Sequence, residues 1–270
     1  MTALAKSLAA FLDTAPTVAL VEVTEAKGST PRERGAWMLV SPDAILGTIG
    51  GGQLEFLAIA RARELIEKNI ATGALDIPLG PEIGQCCGGH VGLAIRIAEP
   101  EDRAELARRA ETEDAARPHV YLFGGGHVGR ALAAALALLP VRTVLLETRA
   151  DVLEEGIPQE VETRLTAVPE EAVREAPAGA AFIVLTHDHA LDFLIVSEAL
   201  AREDAAYVGM IGSKTKKATF KSWYLKNGGD ERRLARLVTP IGGETVRDKR
   251  PSVIAAVAAA EVIAALTRVT

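Results

Sequence analysis

The run Phe123-Gly124-Gly125-Gly126-His127-Val128-Gly129 closes an apolar stretch, His119 to Phe123, and opens an amphipathic one, Val128 to Leu139, that Pro140 ends. Three glycines spaced Gly-x-Gly-x-x-Gly between a strand and a helix form a phosphate-binding turn: the first glycine permits the tight bend, the second lets a phosphate approach the backbone, and the third lets helix pack on strand. The next strand pattern, Thr143 to Glu147, ends on an acid 23 residues after Gly124, where a carboxylate can take a ribose diol. The glycines read either as a seat for a phosphate, up to a full dinucleotide, or as packing residues only.

C-terminal to this turn the pattern is regular. Apolar strands at Val161 to Leu165, Ala181 to Thr186 and Ala206 to Ile211 are accompanied by helical stretches at Leu191 to Arg202, between the last two strands, and Ser213 to Lys226, after them. Further helical stretches follow at Glu231 to Leu237 and, started by Pro251, at Ser252 to Thr267. Strands alternating with helices predict a parallel sheet with right-handed crossovers, so residues 118–270 read as a Rossmann-type domain. Toward the N-terminus, residues 100–117 are rich in Glu, Asp, Arg and Ala and read as a solvated, partly helical linker. Residues 1–99 make a smaller α/β domain: helix Leu4 to Leu12, strands Val18 to Val23, Trp37 to Val40 and Val91 to Ile97, and helix Leu54 to Lys68.

The 270 residues are 49% hydrophobic, enough for two modest cores. A formal charge of −6 offers no basic surface for a phosphate backbone, so nucleic acid is not an expected partner. The N-terminus lacks a signal-peptide pattern, and the longest apolar stretch, Val253 to Leu266, is short and carries Glu261, so no membrane association is expected. The two cysteines, Cys86 and Cys87, are adjacent and exclude a disulfide framework, which points to a reducing, cytoplasmic setting.

Several polar clusters fall where chemistry can occur. His187-Asp188-His189 follows a strand and should lie at the carboxyl edge of the sheet, as ligand-orienting groups or as loop caps; His127 in the glycine turn reads the same way. Ser213-Lys214-Thr215-Lys216-Lys217 starts a helix at that edge; Ser213 and Lys214 can attract an anion, while Lys216 and Lys217 read as a solvated face. Two cysteines in a row, flanked by Gly88-Gly89, cannot both face one core, and the glycines imply that something approaches the backbone closely. A thiolate there can bind a soft metal or carry sulfur. Ser29 and Arg32, in the loop Gly28-Ser29-Thr30-Pro31-Arg32, suit a phosphate or carboxylate, although an ordinary turn has the same composition.

Taken together, Gly28 to Arg32 with Gly35, Gly47-Thr48-Ile49-Gly50-Gly51-Gly52-Gln53-Leu54-Glu55, Cys87-Gly88-Gly89, Phe123 to Gly129, Thr186 to His189 with Asp192, Gly209-Met210-Ile211-Gly212-Ser213 and Pro240-Ile241-Gly242 resemble the XdhC/CoxI family over nearly the whole chain. The resemblance implies a chaperone rather than an enzyme, one that binds the molybdenum cofactor (molybdopterin), holds it while a cysteine desulfurase exchanges an oxo ligand for sulfur, and delivers it to apo-xanthine dehydrogenase. The implied partners are that apo-enzyme, the desulfurase, cofactor-synthesis proteins and a second copy in a homodimer. Cys87 matches the family's Cys-Gly-Gly element and becomes the candidate molybdenum contact, with Cys86 beside it. Gln53 stands where many members carry a cysteine. The cofactor's terminal phosphate suits the glycine turn. The contrasting reading is an NAD(P)-dependent oxidoreductase that holds a nucleotide at Gly124, Gly126, Gly129 and Glu147, with His187 and His189 as acid and base.

Overall fold

The computed structural model describes residues 3–80, 88–154, 156–243 and 248–267. The chain divides into two compact units, Met1–Ala115 and Ala116–Thr270.

In the first unit the strands are β1 (Ala19–Lys27), β2 (Trp37–Val40), β3 (Ile45–Gly47), β4 (Thr72–Pro78) and β5 (His90–Ile97), in the order β3-β2-β1-β5-β4, all pairings antiparallel. Helix α2 (Gly52–Lys68) lies on one face, and α1 (Ala3–Thr14) and α3 (Pro100–Ala115) pack together on the other. Alternation along β1 feeds both layers: Ala19, Val21 and Val23 join Leu54, Ala58 and Leu65 of α2, while Leu20 joins Leu8 and Leu106. With both faces covered, a strand reads as a continuous apolar run, as Val18 to Val21 does. Residues 100–117, read from composition as a solvated, partly helical linker, are helical as α3 over Pro100–Ala115, which belongs to the first unit. Leu106 and Ala110, one turn apart, are buried beside Leu8, Asp114 is buried on the same helix, and most of the other acids and arginines lie outward, where Arg109 bridges Glu105 and Glu22. A helix whose apolar stripe holds so few residues gives little compositional signal.

The second unit is a six-stranded parallel sheet. Its strands are β6 (His119–Phe123), β7 (Arg142–Glu147), β8 (Glu162–Leu165), β9 (Ala181–Val184), β10 (Tyr207–Met210) and β11 (Leu237–Val238), in the order β8-β7-β6-β9-β10-β11. Counted from β6 this is 3-2-1-4-5-6, the Rossmann order, and the direction of winding reverses between β6 and β9. Alternating residues again feed two cores. Val120, Leu122 and Ile183 pack with α4 (His127–Leu136) and α9 (Pro251–Leu266). Tyr121, Phe123 and Phe182 pack with α5 (Glu170–Glu175), α6 (His189–Ala201) and α7 (Lys214–Lys226). The stretch Glu231 to Leu237 is helical only through α8 (Glu231–Leu234), because Leu237 and Val238 instead pair with Val208 and Gly209 as the edge strand β11.

Candidate functional site

Three loops of the first unit meet at one end of its sheet: the loop after β1, the loop between β3 and α2, and the start of β5. A side chain on Gly50 would collide with Pro31, its Cβ falling 2.5 Å from the proline Cγ. On the other side, a Cβ on Gly89 would fall 2.2 Å from the Ser29 carbonyl oxygen, and Ser29 forms an isolated parallel bridge with Gly88. The close approach implied by Gly88-Gly89 is therefore made by the Lys27–Ser29 backbone itself. Hydrogen bonds between Leu79 and both Gly88 and Gly89 tie this point to the end of β4. Cys86 and Cys87 fall in the connection between β4 and β5, outside the described residues.

The middle loop is built around Glu55. Its Oε1 accepts from the Thr48 hydroxyl at 2.5 Å, from Ile49 N at 2.9 Å and from Gly51 N at 3.0 Å, while Gly50 N donates to the Thr48 hydroxyl. Burial pushes the Glu55 carboxyl up, but these donors outweigh it and hold the group below the usual carboxylate range. Ser29, Arg32 and Gln53 are all exposed on the same set of loops, Gln53 in the first turn of α2. Among the described residues Arg32 makes no ion pair.

In the second unit the glycine turn lies over the β6/β9 reversal. Gly124 sits at φ 116°, where a Cβ would stand 2.4 Å from the Leu185 carbonyl oxygen, and a Cβ on Gly129 would stand 1.9 Å from the Gly124 carbonyl oxygen. The first and third glycines are thus fixed by packing. Gly126 differs: it is the N-cap of α4, no side chain caps that helix, and nothing lies within 4 Å of where its Cβ would be. The N–H groups of the first turn, together with the positive end of the helix dipole, face this open approach.

Glu147 ends β7 with its side chain only 3% exposed. Its Oε2 accepts from Gly125 N at 2.9 Å, and its Oε1 from Thr148 N at 2.9 Å and Arg149 N at 3.2 Å, with the Arg149 guanidinium at 3.3 Å. Burial raises the Glu147 carboxyl, and Arg149 with these backbone donors more than reverses the effect. The acid placed for a ribose is already engaged in shaping the turn, a use that its position in sequence does not reveal.

Two further helices begin at the same edge. Asp188 caps α6, accepting from Ala190 N at 2.8 Å and Leu191 N at 3.3 Å, so this member of the His-Asp-His triplet is a helix cap. Ser213 caps α7 by accepting from Lys216 N at 3.3 Å. His127, His187 and His189 are exposed at this edge. Among the described residues no group of three or more His, Cys, Asp or Glu side chains is arranged to hold a metal.

Lys216 departs from the solvated face expected of it. Its stem crosses Gly212, its ammonium pairs with Asp192, and the two side chains are 9% and 0% exposed. Asp192 also accepts from Thr186 N at 3.0 Å and the Thr186 hydroxyl at 2.7 Å. Lys217 is exposed and donates to the Thr239 carbonyl at 3.3 Å. No helix among the described residues is long and apolar enough to cross a membrane.

Residues 120–262 match the family described as the XdhC Rossmann domain, and residues 12–75 match the XdhC and CoxI family. Over 254 residues the chain is 27% identical to YqeB, an uncharacterized protein of Escherichia coli (strain K12), covering 88% of this chain but 42% of that protein, so it spans less than half the length of this relative. The crystal structure of a xanthine dehydrogenase from Bacillus halodurans superposes with a TM-score of 0.79 at 16% identity, covering 98% of this chain and 96% of that one. At that identity the likeness is one of fold.

Proposed function

The chain belongs to the XdhC and CoxI family, and from that premise we propose that it is a maturation factor for xanthine dehydrogenase that carries the molybdenum cofactor. In this reading it binds molybdopterin, shelters it while a desulfurase supplies the sulfur ligand, and passes it to the apo-enzyme, without itself turning over a redox substrate. The carried cofactor brings the redox chemistry; the chain's own residues only bind, orient and shelter it.

The observation that carries the reading is the open start of α4. A terminal phosphate needs several converging N–H donors and no competing side chain, and Gly126 provides both an uncapped helix and clear space above it. In the first unit, the Ser29 carbonyl lies against Gly89, the second residue after Cys87 in the chain, and Ser29 bridges Gly88. Cys87 is the proposed thiolate for the molybdenum end, since a soft ligand suits that metal.

Protein purified after co-expression with cofactor biosynthesis is oxidised and its pterin fluorescence read. Wild type should carry the fluorophore, and Cys87→Ser should lower occupancy or sulfur transfer with an unchanged thermal melt. A pterin-free wild type overturns the assignment.

The Rossmann strand order favours a second reading, nucleotide binding at the same turn by an oxidoreductase. Glu147 tells against it, because its carboxylate is occupied by Gly125, Thr148 and Arg149. Calorimetric titration with nicotinamide nucleotides separates the two readings: heat with these and none with molybdopterin selects the oxidoreductase.

A further inference from the structure

Helices α6 and α7 are already joined without any charge. The Phe193 ring of α6 stands edge-on to Phe220 of α7, with 5.2 Å between centroids, and 5.6 Å from the ring of Trp223. Aromatic contact of this kind holds two helices together, whereas a buried ion pair adds little cohesion that apolar side chains would not give. Lys216 and Asp192 nevertheless meet between the same two helices, both nearly withdrawn from water. The pair therefore has a use other than cohesion.

That use is directional. Asp192 offers Oδ2 to the Lys216 ammonium and Oδ1 to Thr186, whose N–H donates at 3.0 Å and whose hydroxyl donates at 2.7 Å. The Thr186 hydroxyl in turn accepts at 3.1 Å from the N–H of Asp188, the cap of α6. On its other side Thr186 abuts the glycine turn: a Cβ on Gly124 would fall 3.0 Å from the Thr186 Cα, and Leu185 N donates to the Phe123 carbonyl at 2.9 Å. Lys216, Asp192, Thr186 and Gly124 form one unbroken line of contact from the start of α7 to the turn that opens α4. His187, exposed at this edge, directly follows Thr186. Gly212 leaves room for the lysine stem, since a Cβ there would stand 2.8 Å from the Lys216 Cδ.

We propose that Lys216 and Asp192 are positioning residues for a phosphate-bearing ligand at the glycine turn. Acting through Thr186, they set how the loop after β9 stands against Gly124, and so fix the turn and the place of His187 before the ligand arrives. The inference rests on the reading of the turn as a phosphate seat.

The full chain and its variants are titrated calorimetrically with molybdopterin and with inorganic pyrophosphate, at a temperature where circular dichroism shows each to be folded. Lys216→Met and Asp192→Ala should each bind about tenfold more weakly, as changes along a coupled line of contacts do. Gly212→Ala, which displaces the lysine stem but removes no charge, should weaken binding about threefold and decides the matter if a charge variant does not fold. Phe220→Leu loosens the same two helices without touching Thr186, so it should melt lower with unchanged affinity. In the ligand-free protein the amide resonances of Gly124 and Gly126 should shift in the three clamp variants and stay in place in Phe220→Leu. Clamp variants that bind as wild type does, or a Phe220→Leu protein that loses as much affinity as they do, overturn the proposal. A wild type that takes up pyrophosphate but no molybdopterin overturns the cofactor reading alone, and the clamp is then judged on pyrophosphate. A wild type that binds neither overturns both.

Discussion

Lys216 on α7 pairs with Asp192 on α6, two residues 24 positions apart whose side chains are almost fully withdrawn from water. The pair joins the start of α7 to the loop after β9, since Asp192 also holds the backbone and hydroxyl of Thr186. Two of the loops that frame the carboxyl edge are thereby locked together.

Removing one partner strands a buried charge. Asp192→Asn or Lys216→Met should cost about 3 kcal/mol in urea unfolding, whereas the double change to Asn and Met, which strands no charge and keeps an acceptor for Thr186, should cost less than the sum of the two. Lys217→Met, at an exposed neighbour, should stay within about 0.5 kcal/mol. Equal losses for Lys216 and Lys217 would contradict the pairing.

The glycines of the turn separate stability from binding. Gly124→Ala, with φ 116° and a carbonyl 2.4 Å from the added carbon, should destabilise by about 3 kcal/mol or more. Gly126→Ala should melt within about 1 kcal/mol of wild type, because φ is −64° and the space is open, yet lose at least about tenfold in affinity for a phosphate-bearing ligand. Calorimetry with molybdopterin, beside chemical denaturation, reads both effects.

Glu147 makes the second unit acid-sensitive in a definite direction. Its carboxyl is held below the ordinary value of 4.5, so its stabilisation is complete above that value and is lost as the pH falls through the lowered one. Glu147→Gln should therefore be less stable than wild type by about 2 kcal/mol at pH 7, with the gap narrowing as the solution is acidified below pH 4.5. A gap that widens on acidification would show the opposite shift.

What was legible in sequence was local. Phe123 to Gly129 could be read because strand, turn and helix are contiguous, and the glycines that pack are the ones whose spacing demands it. Strand β4 was missed because it is an edge strand holding Gly73, Asp76 and Pro78, with only Ile77 buried. Lys216 was misread because a lysine in the first turn of a helix looks solvated until the fold brings a buried acid to it. Glu147 ends its strand as its position predicts, but most of its partners are main-chain N–H groups, which composition does not show.

Glu55 and Glu147 do related work in different units: Glu55 draws Ile49 N and Gly51 N of its glycine loop onto one carboxylate, and Glu147 ties Gly125 N of the glycine turn to Thr148 N and Arg149 N of the loop after β7. Loops this rich in glycine would otherwise sample many shapes, and a ligand would have to select one of them. Here the chosen shape exists beforehand, so association forfeits little chain entropy and should proceed in a single kinetic phase, with no slower ordering step behind it.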